Sequence, residues 1–170
     1  MWTYQKAHYA GQKAPYAAQK AHYAGLLLIL TLTLTALSMP AQADGVGAIA
    51  YRKAVMSSVG GHLKAIVGIL KGQGGDKAHL LAHAESLAAL AVITQDAFPL
   101  GSDAAAGKTD AAARIWEKPQ DFKRATDAFI SETAALAAAA KTGDLRAFGK
   151  QLGVVGKVGC KGCHSAFRSK

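Results

Sequence analysis

Residues 145–164 read Leu-Arg-Ala-Phe-Gly-Lys-Gln-Leu-Gly-Val-Val-Gly-Lys-Val-Gly-Cys-Lys-Gly-Cys-His. Leu145, Phe148, Leu152, Val155, Gly159 and Cys163 fall three or four apart, the stripe of an amphipathic helix, and Asp144 just ahead of them is a good N-cap. The helix ends in Cys160-Lys161-Gly162-Cys163-His164, the C-x-x-C-H pattern of covalent c-type haem attachment. One helical turn separates the two thiols, so both can reach the vinyl groups on one edge of a porphyrin. His164, four after Cys160, projects from the same side and can ligate the iron. A redox dithiol, half of a zinc site and a structural disulfide compete for a bare C-x-x-C. A dithiol expects a βαβ context absent from this Ala-rich chain, and zinc needs two more ligands at a recognisable spacing. With two cysteines in all, each followed or flanked as haem attachment requires, one covalent haem c is the reading.

Working outward, three further segments carry the helical period. Ile49, Met56, Leu63 and Leu70 recur every seven residues, with Val59 and Ile66 three after Met56 and Leu63, so a first helix is expected from about Val46 to Lys71. Gly60-Gly61 in its middle costs roughly 1 kcal/mol per glycine relative to alanine, which predicts close approach of another backbone or a flat cofactor. Asp76 caps a second helix with Leu80, Ala84, Leu87 and Ala91 on one face, stopping before Pro99. His79 and His83 share a face of it at i, i+4, the spacing of a two-histidine metal half-site; with no carboxylate or thiol at a matching position they read as surface histidines. Phe98 to Lys118 is long for a connection in a bundle, with Ile115 and Trp116 anchoring its far end. Pro119 opens a third helix whose stripe runs through Phe122, Ala125, Phe129 and Leu136 to Thr142-Gly143. Strand-like alternation is nearly absent, so the fold class is all-α, a four-helix bundle spanning 44–170.

The first quarter reads as an address. Gln5 to Gly25 holds three near-copies of QKAHYAG bearing Lys6, Lys13 and Lys20 and no acid, an extended basic n-region. Leu26 to Leu37 supplies an apolar h-region too short to anchor in a bilayer, and Ala41-Gln42-Ala43 fits a small-x-small cleavage site. Residues 1–43 are therefore expected to be a signal peptide, with the mature protein periplasmic and free of a membrane span. Losing those three lysines takes the net charge from +9 to about +6, scattered without basic runs or aromatic-basic interleaving. That excludes nucleic acid as a partner and leaves a surface able to steer an acidic one.

Tyr51-Arg52-Lys53-Ala54-Val55-Met56 with Gly60-Gly61-His62, Ile115-Trp116 ahead of Pro119, and Gly156 through Arg168 together resemble the cytochrome c-prime and cytochrome c-556 family over nearly all of 44–170. The resemblance implies an antiparallel four-helix bundle with haem c near one end. It also implies a basic residue beside the proximal imidazole, matched by Arg168, and places Arg52 near the haem. In the family the residue four after the arginine matched by Arg52 separates two chemistries: a non-ligating residue there gives a five-coordinate, high-spin iron that binds nitric oxide or carbon monoxide, and methionine gives a six-coordinate, low-spin c-556-type carrier. Met56 occupies that position, so the expectation is a one-electron carrier with His164 and Met56 as axial ligands, serving redox partner proteins. The gas-binding protein is the alternative. No enzyme is expected, since no Ser-His-Asp set, phosphate loop or carboxylate pair accompanies the motif. Some family members pair as homodimers through their first two helices and others remain monomers.

Overall fold

A computed structural model describes residues 44–169; the expected signal segment, 1–43, lies outside them. Among the described residues, four of the six α-helices follow directly from caps and breakers. Asp44 accepts a hydrogen bond from the Gly47 amide and starts α1, Gly45–Leu70. Asp76 accepts from the Ala78 amide at 2.8 Å and opens a single 3₁₀ turn, Lys77–His79, that leads into α2, Leu80–Thr94. The loop that follows carries the one-turn α3, Arg114–Glu117, and Pro119 at the first position begins α4, Pro119–Lys141. Gly143, at φ +72°, turns the chain where a side chain would be strained. Asp144 then accepts from the Arg146 and Ala147 amides to begin α5, Leu145–Val154.

The expected fourth helix is continuous but not uniform. Between α5 and α6, Gly162–Phe167, residues Val155–Lys161 form a π-helical turn. Each residue there is rotated less than in an α-helix. α1 packs on α2, α2 on α4, and α4 on the whole Leu145–Phe167 segment, giving the four-helix bundle. Its interior joins Ile66, Leu87, Leu136, Phe148 and Val155, each essentially fully buried. Burying side chains of this kind gains about 1.5–3 kcal/mol apiece.

Two expectations about α1 and one about α5 change. The buried line on α1 is Ile49, Arg52, Val55, Val59, Ile66 and Ile69, while Met56, Leu63 and Leu70 are only partly covered. The heptad reading placed the stripe off-centre because it counted apolar residues alone, and the buried line passes through Arg52. No chain approaches Gly60 or Gly61: a Cβ at either meets nothing within 4 Å, so packing of another backbone is not what they serve. Leu145 is 40% exposed, outside the core face it was assigned to, because it occupies the first turn of α5.

Candidate functional site

Cys160 lies near the end of the π turn and Cys163 and His164 in the first turn of α6, so a single continuous segment carries all three. They line one narrow cleft of about 40 Å³ with Met56 and Val59 from α1, Thr94 from α2, and Thr126 and Phe129 from α4. Every bundle element thus contributes a wall. Both thiols are free and partly buried, and His164 stands at the solvent-facing rim. The larger concavity, about 440 Å³, lies away from the thiols, between the turn at Lys77 and the one at Gly143.

Sulfur electrostatics fit attachment better than redox exchange. Burial first, and the neighbouring Cys160 second, push the Cys163 thiol up to about 11, and burial also raises Cys160. A disulfide oxidoreductase needs the opposite, a thiolate stabilised near neutrality. Desolvation and then the Arg168 charge hold His164 below the ordinary histidine range, leaving a neutral imidazole able to donate a lone pair. Among the described residues no cluster of three or more ligating side chains exists, so zinc has no site at the thiols.

The approach of the thiol-bearing segment to α4 depends on Gly159. A Cβ there would stand 2.9 Å from Phe129 Cδ2, so glycine alone lets the two segments close on each other. The cleft floor is apolar and its two threonines are spent: Thr94 Oγ1 donates to the Leu90 carbonyl and Thr126 Oγ1 to that of Lys123, both at 2.9 Å. Two adjacent thiols, one accessible neutral imidazole and a wall free of unpaired donors are what a haem c would meet here, and the residues fit it.

The two arginines sit apart from the cleft lining. Arg52 is buried, donating from Nη1 to Ser102 Oγ at 2.9 Å and from Nη2 to the Ser102 carbonyl at 2.6 Å and Thr109 Oγ1 at 2.7 Å. Its guanidinium also lies 5.1 Å from the Phe98 ring centroid and 5.9 Å from that of Trp116. No carboxylate faces it in these contacts, and burial lowers its pKa. Arg52 therefore clasps the loop between α2 and α3. Arg168 leaves the end of α6 as extended chain and donates to Asp110 Oδ2 at 3.0 Å, while its backbone forms an antiparallel bridge with Ala111. Its charge acts on His164, but its side chain is held by Asp110.

Sequence reasoning missed a second apolar cluster beside Cys163. Ile115, Phe122 and Phe167 are buried there, with Phe98 and Trp116 packed against them. Phe98 meets Phe122 edge-on at 4.9 Å between centroids, and Phe122 meets Phe167 at 5.3 Å. The Trp116 indole donates to the Phe98 and Pro99 carbonyls, both at 3.2 Å. Bulky aromatics concentrated at 98, 116, 122 and 167 were the available signal.

The sequence model described as Cytochrome C' matches residues 47–168. A cytochrome c' of Pararhodospirillum photometricum is 40% identical over 71% of this chain and 94% of its own. One from Rhodospirillum rubrum is 35% identical over 80% and 91%. Among solved structures, a nitric oxide complex of a variant of cytochrome c prime from Alcaligenes xylosoxidans superposes with a TM-score of 0.68 at 32% identity, covering 75% of this chain and 98% of its own. These findings overturn the expected low-spin carrier with His164 and Met56 as axial ligands, since the relatives are cytochromes c' and the solved neighbour holds nitric oxide. The physical reason is that a thioether on an irregular apolar lining serves as well for filling as for ligation, so Met56's place on α1 could not carry the assignment. The chain belongs to the cytochrome c' family and carries its covalently attached haem c.

Proposed function

We propose that this protein binds nitric oxide or carbon monoxide at a five-coordinate haem held by its C-terminal segment. Cys160 and Cys163 would hold the porphyrin as thioethers, and His164 would supply the protein ligand to the iron. A haem held there would supply a ferrous iron able to bind a neutral diatomic gas. Met56 then acts as packing on the gas side. Residues 1–43 serve as the export signal, the site works in the periplasm, and binding rather than turnover is its task.

The observation that carries this reading is the cleft lining. Beside the thiols and imidazole it presents Met56, Val59 and Phe129, and its threonine hydroxyls are already donated to backbone carbonyls. Distal donors favour bound dioxygen, whose charge separation they stabilise; a wall without them leaves nitric oxide and carbon monoxide favoured. Apart from His164, the lining offers no acid or base to drive a reaction.

The test is the spectrum of the purified haem protein at neutral pH. A high-spin ferric electron paramagnetic resonance signal and complete carbon monoxide binding on reduction are expected. A low-spin ferric signal with a methionine-to-iron band in the near infrared, and no carbon monoxide adduct, overturns the proposal.

A further inference from the structure

His62 on α1 and His83 on α2 take no part in the cleft, yet their Nδ1 atoms stand 3.0 Å apart. Both rings are half-buried, with centroids 5.2 Å apart and planes at 62°. The α1–α2 pairing brings these residues together from 21 positions apart, a partnership that helical spacing within α2 could not show. His79, the i, i+4 neighbour of His83, is exposed on the preceding 3₁₀ turn instead. Two imidazoles at this distance share one proton, one ring donating and the other accepting.

A metal ion can take the place of that proton. With metal–nitrogen bonds of about 2.0–2.1 Å, nitrogens 3.0 Å apart subtend about 94° at the ion. That is close to the cis angle of a tetragonal site, the preference of Cu²⁺ and Ni²⁺, whereas a tetrahedral ion would need roughly 3.3 Å between the nitrogens. The two lone pairs now face each other, whereas a 94° bite needs each to point about 43° off the nitrogen–nitrogen line, so chelation requires both rings to turn by up to about that angle.

We propose that His62 and His83 form a two-imidazole site for a borderline divalent transition metal, Cu²⁺ before Ni²⁺ and Zn²⁺. Among the described residues no third ligating side chain joins the pair, so water completes the coordination and the ion exchanges readily. The order of preference follows both from the bite angle and from the general affinity series of nitrogen ligands.

The experiment is a Cu²⁺ titration of the haem-loaded mature protein, which lacks residues 1–43, followed by copper electron paramagnetic resonance. One equivalent showing hyperfine coupling to two imidazole nitrogens is expected. His62→Gln and His83→Gln, which keep a polar group between the helices, should each weaken that equivalent at least as much as the roughly 10- to 100-fold lost on removing an outer partner of a ligand. His79→Gln should leave it intact. Undiminished binding in either of the first two variants, equal loss in the third, or tighter binding of Zn²⁺ than of Cu²⁺ overturns the proposal. Should a variant fold poorly, the wild type decides: Cu²⁺ should broaden nuclear resonance lines around His62 and His83, and broadening confined to other places refutes the site.

Discussion

Replacing Arg52 by alanine removes the clasp on the loop between α2 and α3. Three hydrogen bonds from a charged donor to Ser102 Oγ, the Ser102 carbonyl and Thr109 Oγ1 disappear, at about 1.5–3 kcal/mol each in favourable cases. Loss of the aromatic contacts with Phe98 and Trp116 adds roughly 0.5–1 kcal/mol. Against this, a guanidinium buried without a facing carboxylate carries a desolvation cost of several kcal/mol, which the mutation relieves. The net expectation is a destabilisation of about 3 kcal/mol. In a domain of this size that lowers Tm by roughly 10 °C. Urea unfolding of wild type, Arg52→Ala and Arg52→Lys measures it; the lysine variant should fall between, because a single ammonium replaces the planar fork but keeps the charge. The haem spectrum should not change, since Arg52 grips the loop and not the cleft. A loss below about 0.5 kcal/mol, or a shifted spectrum with unchanged stability, would refute the clasp.

Met56→Ala should raise carbon monoxide and nitric oxide affinity by opening the gas side, while costing about 1–2 kcal/mol because Met56 is only partly buried; stopped-flow binding and thermal melts check both. In the chain before haem attachment, iodoacetamide should label Cys163 slowly until the pH nears 11, and rapid labelling at pH 8 would contradict the buried thiol. Because that folded-state pKa lies above the ordinary thiol value, the folded chain holds the proton more tightly, so stability is full below about pH 8.5 and falls as pH rises toward 11. Attachment removes both thiols, and this alkaline loss should vanish from the haem protein. Gly159→Val should force Phe129 aside and destabilise the bundle by about 1–3 kcal/mol, read by urea unfolding.

Much of the fold was legible because its punctuation is local. Asp76, Pro119, Gly143 and Asp144 each act within a few residues of themselves, and the structure uses all four as the sequence suggested. Haem attachment was legible for the same reason, since Cys160, Cys163 and His164 are neighbours in the chain. What escaped was long-range or ambiguous. Arg52 meets partners 50 and 57 positions away, and no periodicity connects a helix residue to a loop serine. The π turn departs from the three-and-four spacing by which helices are read. Met56 stands where a ligand or a filler could stand, and no spacing in the sequence separates the two.

The π turn at Val155–Lys161 gives the thiol segment an unusual tolerance. A π turn is one residue more than an α-helix needs, an insertion absorbed without breaking the rod. In a regular α-helix each residue advances about 100°, so a deletion swings everything after it by that angle. Here a residue lost ahead of Cys160 would return the segment to regular winding and leave Gly162–Phe167 facing nearly the same way. Cys163 and His164 would keep to the cleft and Phe167 to its aromatic partners, so this turn is where the lineage can change the length of the rod by a single codon.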